Sequence, residues 1–106
     1  MKIKYDKLVR DKIPEIISND GKNALISKLE DKNQLRERLL EKLFEEVEEY
    51  KEDYDLLEIA DILEIIYALI EIVEGKSFEE IDKMRLEKKE ERGGFEKGII
   101  LEKVTY

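Results

Sequence analysis

From Leu35 onward, apolar positions recur at Leu35, Leu39, Leu43, Val47 and Tyr50, three or four residues apart, which is the spacing of one helix face. Asp31 followed by Gln34 has the form of a capping box, so the pattern predicts a helix over about 32–51. A second apolar arc, Ile62, Ile65, Ile66 and Leu69, does not continue the first. At about 100° per residue it is rotated by about a quarter turn from that register. The polar stretch Lys51-Glu52-Asp53-Tyr54-Asp55 is the natural place for the chain to turn back. Asp55 with Glu58 repeats the capping pattern and opens a second helix over about 55–74. The expectation is an antiparallel helical hairpin.

The flanks are shorter. Pro14 suits the first turn of a helix ending near Asn19, with Asp11 as its cap, and Asp20-Gly21 reads as a turn. Ala24 to Leu29 alternates in part and predicts a small strand. Gly75 ends the second long helix, and Ser77 with Glu80 caps a third that runs to about Arg92. Gly93-Gly94 then breaks the chain before Phe95 to Val104, a strand or an extended tail. The fold class predicted is all-α, a single domain over residues 1–106 with minor strands at Ala24–Leu29 and Phe95–Val104.

Composition narrows the chemistry. The 106 residues are 42% hydrophobic and 45% charged, enough apolar material for one modest core. With no Cys and no His, disulfides, ordinary zinc sites and thiol or imidazole catalysis are excluded. Acid–base work falls to carboxylates, lysines, tyrosines or water on a metal. A net charge of −8 opposes long nucleic acids, which need a basic surface, but leaves room for a small polyphosphate offset by cations. The start of the chain lacks a signal-peptide pattern. Leu56 to Val73, the longest apolar region, is interrupted by Glu58, Asp61, Glu64 and Glu71, so no membrane span is predicted. The expected location is the cytoplasm.

Four acids fall where solvated charges do not belong. Glu46 projects inside the apolar arc of the first helix and Glu49 at its edge, whereas Glu41 and Glu48 lie on the far face. On the second helix Glu58 projects between Ile65 and Leu69, and Asp61 between Ala68 and Ile72. Asp61 is the hardest to explain structurally, because Asp is a poor helix former and sits mid-helix among isoleucines. Glu46/Glu49 and Glu58/Asp61 are i,i+3 pairs, whose side chains can reach a common ion. A hairpin turn near Asp53 and Tyr54 brings both pairs to one point, and four carboxylates stay ionised together only around cations. Magnesium suits all-oxygen ligands and keeps coordination positions for water and phosphate.

The segment Leu43-Phe44-Glu45-Glu46-Val47-Glu48-Glu49, an EExxE, followed by Glu58-Ile59-Ala60-Asp61, an ExxD, resembles the all-α NTP pyrophosphatase superfamily. That superfamily includes MazG-like pyrophosphohydrolases, phosphoribosyl-ATP pyrophosphohydrolases and dimeric dUTPases. Lys7-Leu8-Val9-Arg10-Asp11-Lys12-Ile13-Pro14 and Arg92-Gly93-Gly94-Phe95 resemble its small house-cleaning or phosphoribosyl-ATP-pyrophosphohydrolase-like branch. The resemblance implies Mg²⁺ held by Glu46, Glu49, Glu58 and Asp61, with Glu45 and Glu46 as catalytic acids and Glu45 orienting the attacking water. It implies cleavage between the α and β phosphates to a nucleoside monophosphate and pyrophosphate, in house-cleaning of non-canonical nucleotides. The alternatives are phosphoribosyl-ATP hydrolysis in histidine biosynthesis, or a non-catalytic helical dimer binding metal or nucleotide. Short spacing between the motifs and the absence of Trp leave few groups to recognise a base.

Phosphate oxygens also need donors. The candidates are Lys7, Arg10 and Lys12 at the front and Arg85, Lys88, Lys89 and Arg92 in the third helix. Cations in a last helical turn also serve the helix dipole, which is the ordinary role of Lys88, Lys89 and Arg92. Arg10 stands out because it lies in a short motif beside Asp11. The second long helix is apolar on more sides than one hairpin can cover, which predicts a homodimer or a dimer of dimers with a four-helix-type core.

Overall fold

The computed structural model describes residues 5–106, and all regular structure among them is helical. The helices are α1 (Ile13–Asn19), α2 (Lys32–Asp53), α3 (Leu56–Ala68) and α4 (Phe78–Arg92), and a π-helical turn, Leu69–Val73, extends α3. Asp31 caps α2 by accepting the Asn33 N–H at 2.9 Å. Among the described residues Gln34 returns no bond to that cap, so the predicted box is half formed.

The break between α2 and α3 is built without glycine or proline. Tyr54 takes a left-handed conformation, φ 54°, and its N–H reaches the Tyr50 carbonyl at 2.7 Å. The Asp53 carboxylate then accepts the Asp55 N–H at 3.1 Å, while Asp55 caps α3 by accepting the Leu57 N–H at 2.9 Å. Such caps contribute about 1 kcal/mol each, enough to offset a non-glycine residue in this conformation. One consequence reaches the site. Because Asp53 occupies the Asp55 N–H, the Glu58 carboxylate is not drawn into a capping box.

Leu39, Ile65 and Val73 form the core, with Leu35, Leu43, Ala68, Leu69 and Leu8 packed against it. Ile65 and Val73, eight residues apart, would differ by about 80° on a regular α-helix. The wider turn at Leu69–Val73, with Glu74 N–H donating to Leu69 O at 3.0 Å, turns less per residue and brings them closer in phase. Nothing in the apolar run of letters announces it. Arg36, early in α2, bonds Glu74 just beyond this turn at 2.9 Å, while Glu46 late in α2 meets Glu58 early in α3. The two helices therefore run side by side in opposite directions.

Two expectations are corrected. Asp11 does not cap α1: Lys12 holds that position in helical conformation without a side-chain bond, and Pro14 starts the helix by its fixed φ. Neither predicted strand, Ala24–Leu29 or Phe95–Val104, exists among the described residues. A strand needs a neighbouring backbone; here 22–30 has none, and 95–98 closes into a turn through Gly98 N–H to Phe95 O at 3.1 Å. Ser77 and Glu80 do form the full capping box of α4, and Phe78 stacks on Tyr67 with ring centroids 4.5 Å apart. Gly93, φ 87°, closes α4.

The molecule is extended, 64 × 32 × 24 Å, with a radius of gyration of 18.5 Å. A compact chain of this size has about 13 Å. No helix among the described residues is long and apolar enough to cross a membrane.

A candidate metal centre between α2 and α3

The bend at Tyr54 brings the last turns of α2 against the first turns of α3. Glu46, Glu58 and Asp61 each place one carboxylate oxygen within 4.8 Å of the others. Glu46 is the buried member, 6% exposed, and is the one buried charged residue among those described. Its Oε1 lies 3.7 Å from Lys42 Nζ, one helical turn earlier. Its Oε2 is buried with no hydrogen-bond partner. An orphaned buried acceptor costs about 1–3 kcal/mol and more when charged, so the fold tolerates it only with something to compensate.

The electrostatics record the same crowding. Glu58 is pushed from the usual 4.5 up to about 7, chiefly by the Glu46 carboxyl facing it and then by burial and by Glu49. Burial pushes Glu46 up as well, with the charges of Glu49 and Asp61 adding to it. At neutral pH the cluster thus shares a proton that a cation would displace. Oxygen-only donors, a proton ready to leave and an unsatisfied buried oxygen fit a hard divalent ion such as magnesium.

The other predicted acids stand around this centre. Glu49 lies outside the tight trio, yet close enough to raise both Glu46 and Glu58. Glu45 points to Lys7, whose Nζ donates to its Oε1 at 3.0 Å and holds the carboxyl below its ordinary range. Lys7 is raised in turn by that partner. Arg10 Nη2 donates to Asp61 Oδ1 at 2.7 Å.

The remaining predicted cations are elsewhere. Lys12 is exposed at the head of α1. Arg85 bonds Asp82 at 2.7 Å and Lys89 pairs with Glu96 at 3.3 Å, while Arg92 is exposed in the last turn of α4. Within one chain these pairs bind their own neighbourhood and not the carboxylate trio. Lys42 was not anticipated. Its signal was a Lys–Glu pair four apart ending on an acid already suspected of burial. Comparison of the chain with known protein families, characterised proteins and solved structures finds no match.

Proposed function

We propose that this chain is a Mg²⁺-dependent nucleoside triphosphate pyrophosphohydrolase that cleaves the α–β anhydride to give a nucleoside monophosphate and pyrophosphate. Its service would be the removal of non-canonical nucleotides. One observation carries the reading: the buried, unpartnered Glu46 Oε2, aimed into a trio of converging carboxylates. The order of the EExxE and ExxD segments supports it independently.

In this reading Glu46, Glu58 and Asp61 hold the metal and Glu49 completes the acidic wall. Bound magnesium supplies charge neutralisation on the phosphates and acidification of water. Glu45, kept ionised by Lys7, accepts or orients a proton of the attacking water. Arg10, the cation nearest the trio, faces the substrate phosphates.

The working form in this proposal is a homodimer. The chain exposes 10197 Å² where a compact 12.6 kDa protein exposes about 6,200 Å². The excess is several times the roughly 800 Å² that each partner gives to a standard interface, and is of obligate-dimer size. Leu40, Phe44 and Val47 on α2 and Leu56, Ile59, Leu63 and Tyr67 on α3 form exposed apolar stripes at helical spacing. Joining two such pairs makes a four-helix core.

The test is ion-exchange product analysis over a panel of NTPs, dNTPs and phosphoribosyl-ATP, each with Mg²⁺ and with EDTA. Metal-dependent release of monophosphate and pyrophosphate is expected. A folded protein inert on the whole panel would move the assignment to a non-catalytic metal-binding dimer.

A further inference from the structure

The segment ahead of α1 lies across the helical pair, and its anchors fall into two kinds. Arg38 on α2 donates to the Asp6 carbonyl at 3.1 Å and to its carboxylate at 3.3 Å. Leu8 packs on the Leu39–Ile65–Val73 core. The Arg10 carbonyl accepts the Ile13 N–H at 3.0 Å. These three contacts hold the backbone and involve none of the clustered carboxylates. The other two contacts are side chains reaching the acids, Lys7 to Glu45 and Arg10 to Asp61. Either side chain can therefore leave its partner while the segment stays in place.

Asp61 is thus claimed twice, by Arg10 and by the trio. A divalent cation drawing on Asp61 repels the guanidinium and removes much of the negative charge that held it. Arginine released at that spot faces the region where a metal-bound phosphate brings new negative charge, and its planar fork suits phosphate oxygens. We propose that Arg10 is a metal-gated phosphate-binding residue: it neutralises Asp61 before the cation binds and is transferred to the polyphosphate afterwards. This rests on the metal reading above and adds to it a coupling. Arg10 opposes the metal alone and favours the metal–polyphosphate pair, so by linkage each ligand strengthens the other through this one side chain. It would bias the site against binding a polyphosphate that arrives without its metal.

The experiment is calorimetric titration of Mg²⁺ alone, and of pyrophosphate in excess Mg²⁺, into wild type, Arg10→Ala and Arg36→Ala. Arg36 serves as the control, since its pair with Glu74 also joins α2 to the end of α3 but lies apart from the trio. Arg10→Ala is expected to bind Mg²⁺ no more weakly than wild type and up to a few-fold tighter, as an exposed pair is competed only modestly. Its affinity for pyrophosphate should fall about 10-fold or more. Arg36→Ala should change neither. If Arg10→Ala weakens Mg²⁺ binding, or leaves pyrophosphate binding as in wild type, Arg10 is an ordinary ion pair and the gating is wrong while the metal site stands. Wild type showing no Mg²⁺ binding at millimolar concentration overturns the metal reading and the gating together.

Discussion

The α2–α3 pair and α4 are both long, charged helices, and they are held by opposite means. Every buried residue among those described lies on α2, on α3 or in its π-helical extension, and α4 has none. Helix α4 is instead kept by local devices: its capping box, the i,i+3 Arg85–Asp82 pair and basic residues in its last turn. The lesson is where a helix can carry a cost. Only the pair with tertiary packing behind it can keep a carboxylate oxygen buried without a partner.

Perturbing the site should therefore give the largest effects and perturbing α4 the smallest. Glu46→Gln should reduce turnover on the best nucleotide by roughly 10²–10³-fold, the loss typical of removing one electrostatic stabiliser. It should also abolish the rise in melting temperature that Mg²⁺ gives wild type. That rise corresponds to about 2.7 kcal/mol at 100 times the dissociation constant. A variant that keeps the full Mg²⁺-induced shift would remove Glu46 from the metal site.

Next in size, Leu63→Glu or Phe44→Glu should convert the dimer to monomer in sedimentation at micromolar concentration. Each places a charge on an exposed apolar stripe. An unchanged sedimentation coefficient in both would mean that the stripes face something other than a second copy.

The pH response is more modest, and its sign is determined. Glu58 titrates higher in the folded chain than in the unfolded one, so between about 4.5 and 7 the folded state holds more protons. In EDTA the melting temperature should accordingly fall as pH rises through that window, and Glu58→Gln should flatten the fall. Saturating Mg²⁺ should reverse the trend near neutrality by taking up the negative charge. A metal-free protein that gains stability from pH 4.5 to 7 would contradict the crowding of Glu46 and Glu58.

The smallest effects belong to α4. Ser77→Ala should cost about 1 kcal/mol of stability by loss of the cap, leaving Mg²⁺ affinity unchanged. Arg85→Ala should leave kcat/KM within about twofold, since exposed i,i+3 pairs contribute a few tenths of a kcal/mol. A large kinetic loss from Arg85→Ala would show that α4 of a second copy reaches the site, and would undo the contrast between the two regions.

What the letters revealed, and what they hid, divides along the same line. The helices with regular apolar spacing and local caps, α2, α3 and α4, were legible because those signals sit within a turn of one another. Glu46 was legible because it fell inside an apolar arc. Arg10 against Asp61 and Lys7 against Glu45 join residues 51 and 38 positions apart, and no local pattern encodes such pairings. The strands expected at Ala24–Leu29 and Phe95–Val104 failed for a related reason. Their composition suits a strand, but composition does not supply the second backbone that makes one. Arg85, Lys89 and Arg92 were attractive phosphate donors by charge alone, while in the folded chain two of them already have acidic neighbours.

The π-helical turn at Leu69–Val73 has a consequence for how this molecule can be edited. It sits downstream of Glu58 and Asp61, and it holds one residue more than an α-helical path needs. Deleting one residue there lets an ordinary helix reform while everything after it swings around the helix axis by about 100°. The carboxylate trio lies upstream and keeps its register. The chain thus contains a built-in indexing joint, at which α4 and the tail can be re-aimed in a single step without disturbing the acids.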